Sequence, residues 1–144
     1  MNASLLLPVA LSLAAPALKD RPKKESSIVG EWKAEQIIAG GKPARAQSSD
    51  VRWVFAPDGT RVISRDGKQA QTGTFEADPK AKPATLDLDK GPAGDPRYLC
   101  IYKIEGDTLT LNVGWPKADR PTEFASPAGA QCTLYVFRRV KAKD

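Results

Sequence analysis

The stretch that decides the fold runs from residue 97 to residue 114 and reads RYLCIYKIEGDTLTLNVG. Apolar and polar side chains alternate on both sides of its central EGD segment. Such alternation is typical of half-buried strands, and a glycine-centred polar segment between two strands favours a tight turn. The stretch therefore predicts an antiparallel β-hairpin in which Ile104 lies opposite Leu109 and Cys100 lies opposite Val113.

The rest of the chain repeats this pattern, with turn residues between short alternating segments. Eight sequential strands joined mostly by short turns favour an up-and-down antiparallel meander, and closing the meander into a barrel removes exposed strand edges. We therefore predict an all-β fold, an eight-stranded up-and-down antiparallel barrel. The predicted strands span residues 28–38, 51–56, 60–65, 69–76, 84–89, 97–104, 108–114 and 132–140.

The start of the chain differs from the rest, because residues 1–17 carry no charged side chain and are mostly apolar. Ala15 and Ala17 place small residues where a signal peptidase reads the chain. The apolar run is shorter than the ~20 residues that span a bilayer. We predict a signal peptide at residues 1–17, a basic linker at 18–27 and the barrel domain at 28–141. The mature protein is then secreted or periplasmic, with no stable membrane span after cleavage.

The composition argues against several function classes. The net charge is +5, but no basic stripe with interleaved aromatic residues is visible, so we expect no nucleic-acid partner. The chain has no histidine, which removes the commonest general base and most zinc and copper ligands. Asp87 and Asp89 are predicted to point outward from one strand, where neither carboxyl is desolvated as hydrolysis requires. We expect no enzyme, no metal and no cofactor.

The first predicted strand contains Gly30-Glu31-Trp32, which resembles the Gly-x-Trp signature of lipocalins. In that family an arginine near the end of the last strand packs across the tryptophan ring and closes the barrel floor. Alternation on the last strand places Arg138 on the same face as Leu134 and Val136, which we predict to point inward. The resemblance therefore implies Arg138 as the partner of the tryptophan, with Arg139 as the second candidate.

A second resemblance covers nearly the whole predicted domain. The segments IYKIEGDTL at 101–109 and RPTEF at 120–124, with a last strand that ends in arginine, resemble a family of uncharacterised lipocalin-like domains of planctomycete bacteria. This chain departs from the family pattern at Cys100, where glycine is typical, and at Asn112, where cysteine is common. The family has no established activity, so the resemblance implies a lipocalin-like barrel and leaves the function open.

The loop at 120–124 has two interpretations. Functional residues concentrate on loops, so it could recognise a partner. Alternatively it is structural, with Phe124 plugging one end of the barrel and Arg120 forming local hydrogen bonds. We prefer the structural interpretation and assign Arg120 and Phe124, together with Gly30, Trp32 and Arg138, to the framework.

The two cysteines, Cys100 and Cys132, leave two states open. An even cysteine count in an exported chain favours a disulfide. The hairpin register places Cys132 in one cross-strand row with Cys100 and Val113. In a flat sheet the strand of Val113 then separates the two cysteines, which puts them farther apart than a disulfide spans. A bulge near Gly114 could close that gap, and otherwise both residues are buried thiols.

The barrel interior decides the function. An eight-stranded barrel is just wide enough to be filled by side chains or to hold one small ligand. If it is open, with a cavity of ~300 Å³ or more, the protein is a non-enzymatic binder of a small hydrophobic molecule. If it is filled, the protein is an interaction or inhibitor module that contacts an envelope protein through the loops around Trp115 to Phe124. We expect a monomer in both cases, and the predicted pocket-lining residues are Trp53, Phe55, Tyr102, Leu111 and Trp115.

Overall fold

The structure is a computed structural model that describes residues 27–45 and 49–141. The predicted signal peptide and all but the last residue of the predicted basic linker lie outside the described residues. In the described ranges, no helix is long and apolar enough to cross a membrane.

Nine strands form one antiparallel sheet, in which each strand pairs with its neighbours and β1 also pairs with β9. Strand β2 has two residues and lies at the edge of β1, so the closed wall consists of the other eight strands. This confirms the predicted eight-stranded up-and-down antiparallel barrel. The strands are β1 (Gly30–Ala39), β2 (Lys42–Pro43), β3 (Val51–Phe55), β4 (Thr60–Arg65), β5 (Lys68–Asp78), β6 (Ala84–Lys90), β7 (Pro96–Glu105), β8 (Thr108–Gly114) and β9 (Cys132–Arg139).

The hairpin of β7 and β8 has the predicted register. Ile104 pairs with Leu109 and Cys100 pairs with Val113. Gly106 adopts a positive φ of 62° in the turn between them, a conformation that glycine reaches without steric cost. The short turn therefore fixes which side chains of β7 and β8 face the core.

Trp32 closes one end of the barrel, which we call the floor. Its side chain is fully buried, and its Nε1 donates a hydrogen bond to the carbonyl oxygen of Ile28 at 2.8 Å. The guanidinium carbon of Arg139 lies 4.1 Å from the Trp32 ring centroid, and Arg139 Nη1 also donates to the carbonyl oxygen of Val29 at 3.3 Å. Gly30 permits this approach, because a Cβ atom there would lie 3.0 Å from Arg139 Nη1.

The prediction that Arg138 packs on Trp32 is wrong, because β9 turns its other face to the interior. The rings of Tyr135 and Phe137 lie 5.0 and 5.5 Å from the ring of a core tryptophan. Side chains alternate along a strand, so Arg139 points inward with them and Arg138 points outward. The Arg138 side chain is 60% exposed.

The long connection between β8 and β9 buries the outer face of β9, which is why apolar residues occur on both of its faces. Residues 115–131, which we call the strap, cover the outer face of the barrel. Asn112 of β8 is fully buried beneath them and donates two hydrogen bonds to strap carbonyl oxygens, at 2.7 and 2.9 Å. Its cross-strand partner Leu134 is only 9% exposed. Leu134 and Val136 therefore lie on the outer face of β9, and their predicted inward orientation is wrong.

Arg120 anchors the strap to β6 and β7. Its Nη1 donates to the carbonyl oxygen of Cys100 at 2.8 Å, and its Nη2 donates to Asp87 Oδ1 at 2.7 Å. Arg120 is thus structural, although its partners lie on distant strands and not within the loop. Phe124 is half-buried on the outside, with its ring centroid 5.0 Å from Lys103 Nζ. The prediction that Phe124 plugs a barrel end is therefore wrong.

The two cysteines are free thiols on opposite faces of the sheet. Cys100 is fully buried in the core. Cys132 pairs with Gly114 and not with Val113, one residue out of the predicted row, and its Sγ lies 3.5 Å from the carbonyl oxygen of Ala125 in the strap. The Cys100–Cys132 disulfide is therefore absent, and the alternative of two buried thiols is the one observed.

Apolar side chains fill the barrel from the floor through its middle. The ring of Phe55 packs edge-on against Phe75 with centroids 4.9 Å apart. The interior space that remains lies toward the end opposite the floor. The most buried apolar side chains of this filling, none more than 1% exposed, include Phe55, Leu86, Leu88, Leu109, Leu111 and Phe137.

Candidate functional site

A cavity of about 180 Å³ lies inside the barrel at the end opposite the floor, which we call the mouth. Most of its residues lie within three positions of a strand end at the mouth. It is therefore the unfilled upper end of the barrel, and it is partly open to solvent. Seven of the eight wall strands contribute its side chains, which are Trp53, Arg61, Ile63, Gln71, Leu88, Tyr98, Val113 and Tyr135.

Arg61 is the charged residue of the cavity wall. It points inward from β4 and is only 2% exposed. Its Nη2 lies 2.6 and 2.7 Å from the two carboxylate oxygens of Asp89, and its guanidinium carbon lies 5.1 Å from the Trp53 ring centroid. Its Nε has no hydrogen-bond partner in the described part of the chain. Because burying a charge is costly unless it is paired, Asp89 is what allows Arg61 to lie inside the barrel.

The pairing depends on two local features of the backbone. Asp89 has a positive φ of 59°, which interrupts the alternation of β6 and turns its carboxylate toward Arg61. Gly73 of β5 leaves room for that carboxylate, because a Cβ atom at this position would collide with Asp89 and lie 3.0 Å from Arg61 Nη2. The prediction that Asp89 points outward like Asp87 is therefore wrong.

Aromatic rings form much of the remaining wall. The ring centroids of Trp53 and Tyr135 are 5.0 Å apart. Burial raises the pKa of the Tyr135 hydroxyl, while the positive charges of Arg61 and Arg65 act in the opposite direction. Tyr135 therefore stays protonated at neutral pH, and its hydroxyl can donate a hydrogen bond to a bound group.

The structure separates the residues predicted to line a pocket. Trp53 lines the mouth cavity, whereas Phe55 and Leu111 belong to the filled core. Tyr102 is buried beside two larger depressions at the floor, of about 360 and 390 Å³, which are open to solvent. Trp115 lies near the mouth and is 44% exposed, but it does not line the cavity, and its Nε1 donates to Thr133 Oγ1 at 3.1 Å.

Sequence reasoning missed Arg61, Gly73 and Asp89. The alternation of residues 60–65 does give a signal, because Arg61 shares its face with Ile63. That signal is ambiguous, since Val62 on the opposite face is equally apolar. Nothing local to Gly73 or Asp89 indicates that the two residues meet across neighbouring strands.

Comparison with known proteins gives no relative. No protein-family model matches the chain, and no curated protein or solved structure is significantly similar to it. The resemblance to the planctomycete family therefore stays a prediction. Among the described residues, no group of three or more metal-ligating side chains is present.

Proposed function

We propose that the protein is an exported, non-enzymatic binding protein that holds one small organic molecule in the mouth cavity. The observation that carries this proposal is the cavity itself, an interior space whose wall comes from seven strands of the barrel. Side chains on strands are held more rigidly than side chains on loops. A mainly aromatic and apolar lining with a few placed polar groups is typical of small-molecule sites.

The volume limits the size of the ligand. A cavity of ~150 Å³ lined by apolar side chains holds one benzene molecule, and the mouth cavity measures about 180 Å³. It is smaller than the ~300 Å³ expected of an open barrel with a pocket for drug-sized ligands, so the criterion for an open barrel is not met and the proposal is limited to smaller ligands. The proposed ligand is therefore a single ring with a small substituent, or a chain of similar size, and not a long lipid.

Native mass spectrometry of the exported protein tests the proposal by detecting a co-purifying small molecule. A cavity-filling variant, Ile63→Phe, should lose that molecule, because the larger side chain occupies the space in which the ligand lies. The matched control is Val62→Phe, the same kind of enlargement on the outer face of the same strand, which should retain it. Retention of the ligand by Ile63→Phe would place binding elsewhere, and a wild-type protein that never carries a ligand would contradict the proposed function.

A second function is favoured by one observation at the surface. Trp115 is the large hydrophobic side chain that stands exposed among the described residues, and exposed tryptophans often anchor protein interfaces. The protein would then be an interaction module that contacts an envelope protein. A photo-crosslinking residue at position 115 should capture a defined partner, while the same residue at Thr122, farther along the strap, should not. Equal labelling at both positions would contradict this alternative.

A further inference from the structure

We infer that the mouth cavity selects a single-ring organic anion, of which an aromatic carboxylate is the model compound. This inference rests on the proposed function, since it names the chemical class of the molecule that the cavity holds. It is carried by the juxtaposition of Arg61 and Arg65 with the aromatic wall of one small cavity.

A second cation stands at the mouth beside the paired Arg61. Arg65 follows Arg61 and Ile63 on the inward face of β4, and its charge acts on the buried hydroxyl of Tyr135. Arg97 is not part of this group, because Tyr98 points into the cavity and alternation along β7 turns Arg97 to the outer face. One arginine, Arg65, therefore stands at the rim in addition to the one inside.

Three acids near the mouth have partners of their own, whereas Asp95 lies just before β7, close in sequence to the outward-pointing Arg97. Asp89 pairs with Arg61. Asp50 pairs with Arg52 at 3.0 Å, and Asp66 Oδ1 accepts the Asp50 backbone N–H at 2.9 Å.

Arg65 forms no ion pair with another residue in the described ranges, and it is exposed. A guanidinium that is not neutralised by a partner, standing beside a partly enclosed opening, attracts anions to it.

The aromatic interior of the cavity selects the ring of the ligand, as the rim selects its charge. The rings of Trp53, Tyr98 and Tyr135 line the cavity, and aromatic rings pack favourably against one another in offset or edge-on arrangements. The hydroxyl of Tyr135 is a neutral donor, and guanidinium groups bind carboxylates through paired hydrogen bonds. A ring carrying one carboxylate therefore matches both the wall and the rim, whereas a small inorganic anion matches the rim alone.

Calorimetric titration with three probes tests the inference: benzoate, its neutral isostere benzamide, and inorganic phosphate. Benzoate should bind about tenfold more tightly than benzamide at low ionic strength, because hydrogen bonds to charged groups are stronger than neutral ones. The ratio should shrink at high salt, which screens the exposed rim charge. Phosphate should bind more weakly than benzoate, since it offers no ring to the aromatic wall.

Two arginine variants separate the rim from the general charge of the protein. Arg65→Gln should weaken benzoate binding about fivefold and leave benzamide binding unchanged, as expected for one partly screened charge. Arg138→Gln is the matched control, because Arg138 lies on the outer face of β9 at the floor end and pairs with Glu35. It removes the same charge far from the mouth and should leave both affinities unchanged.

The outcomes distinguish this inference from the proposed function. Equal binding of benzoate and benzamide, both lost in Ile63→Phe, would overturn the anion selectivity and leave the binding function in place. Phosphate binding as tight as benzoate binding would show an inorganic-anion site and overturn the organic part. If no probe binds, the inference is overturned, and the proposed function fails with it only if native mass spectrometry of the exported protein also shows no ligand.

Discussion

Replacing Asp89 by asparagine tests the charge pair inside the barrel. The change removes the negative charge with little change in volume. Asparagine also tolerates the left-handed backbone conformation of this position, where φ is 59°, better than most residues do. Arg61 is 2% exposed, so its guanidinium would keep its charge, lose its ion-pair partner and stay out of contact with bulk water.

The magnitude follows from the burial of the two partners. Removing one member of a fully buried pair costs ~3–5 kcal/mol. The Asp89 side chain is 25% exposed, so water reaches this pair in part, and the asparagine oxygen can still accept one hydrogen bond. We therefore expect Asp89→Asn to lower the free energy of unfolding by ~2–3 kcal/mol, which corresponds to a fall in Tm of about 8–12 °C.

Unfolding in guanidinium chloride at neutral pH measures this effect. Asp66→Asn is the matched control, because Asp66 also has a positive φ, of 52°, but lies in an exposed turn; it should cost no more than ~0.5 kcal/mol. The double variant Arg61→Met with Asp89→Asn should lie within ~1 kcal/mol of wild type, because no charge is left buried. A cost below ~0.5 kcal/mol for Asp89→Asn, with additive single effects, would refute the argument that Arg61 is desolvated.

Three further predictions concern the floor and the thiols. Trp32→Ala should lower the free energy of unfolding by ~3–5 kcal/mol. Arg139→Ala should cost ~1–2 kcal/mol more than Arg138→Ala, and equal costs for the two variants would contradict the stabilising contact of Arg139 with Trp32. Mass spectrometry of the unreduced, unfolded protein should show alkylation of both Cys100 and Cys132, whereas a single disulfide would leave none. Burial raises the pKa of the Cys100 thiol from 9.0 to about 12, so the contribution of this thiol to stability should be constant below pH 9 and be lost as the pH rises toward 12. Cys100→Ala should therefore reduce the loss of stability between pH 9 and pH 12, and an unchanged loss would contradict the burial of this thiol.

The sequence was sufficient for the features that neighbouring residues determine. The tight turn between β7 and β8 fixes the pairing of Ile104 with Leu109, and a one-residue slip would move every apolar side chain of the hairpin to the wrong face. Repetition of the same pattern predicted all eight wall strands. Closure into a barrel also followed, because an open sheet of this length would expose two unpaired edges.

The orientation of β9 did not follow from the sequence, because the strap buries the outer face of the strand and so removes the difference between a buried and an exposed face. Period-2 reasoning assumes one buried face and one exposed face. On β9 the inward Phe137 and the outward Leu134 are both buried, and the alternation therefore carries two consistent interpretations. The interpretation with Leu134 inward predicted a floor arginine one residue away from the true one and placed Cys132 on the wrong face.

The charged wall of the cavity could not be predicted, because it depends on residues from three separate strands. Arg61 lies inside only where Asp89 turns back toward it and Gly73 leaves the space for the carboxylate. Such a pair contributes little to holding the barrel together, since apolar residues of similar volume are often equally stable or more so.

The consequence of the Arg61–Asp89 pair is therefore chemical, because the pair fixes a guanidinium beside the aromatic wall of the cavity. The double variant Arg61→Met with Asp89→Asn should therefore fold like wild type and show a smaller preference for benzoate over benzamide. If the double variant keeps the full preference, Arg65 alone selects the anion, and Arg61 serves only the packing of the wall.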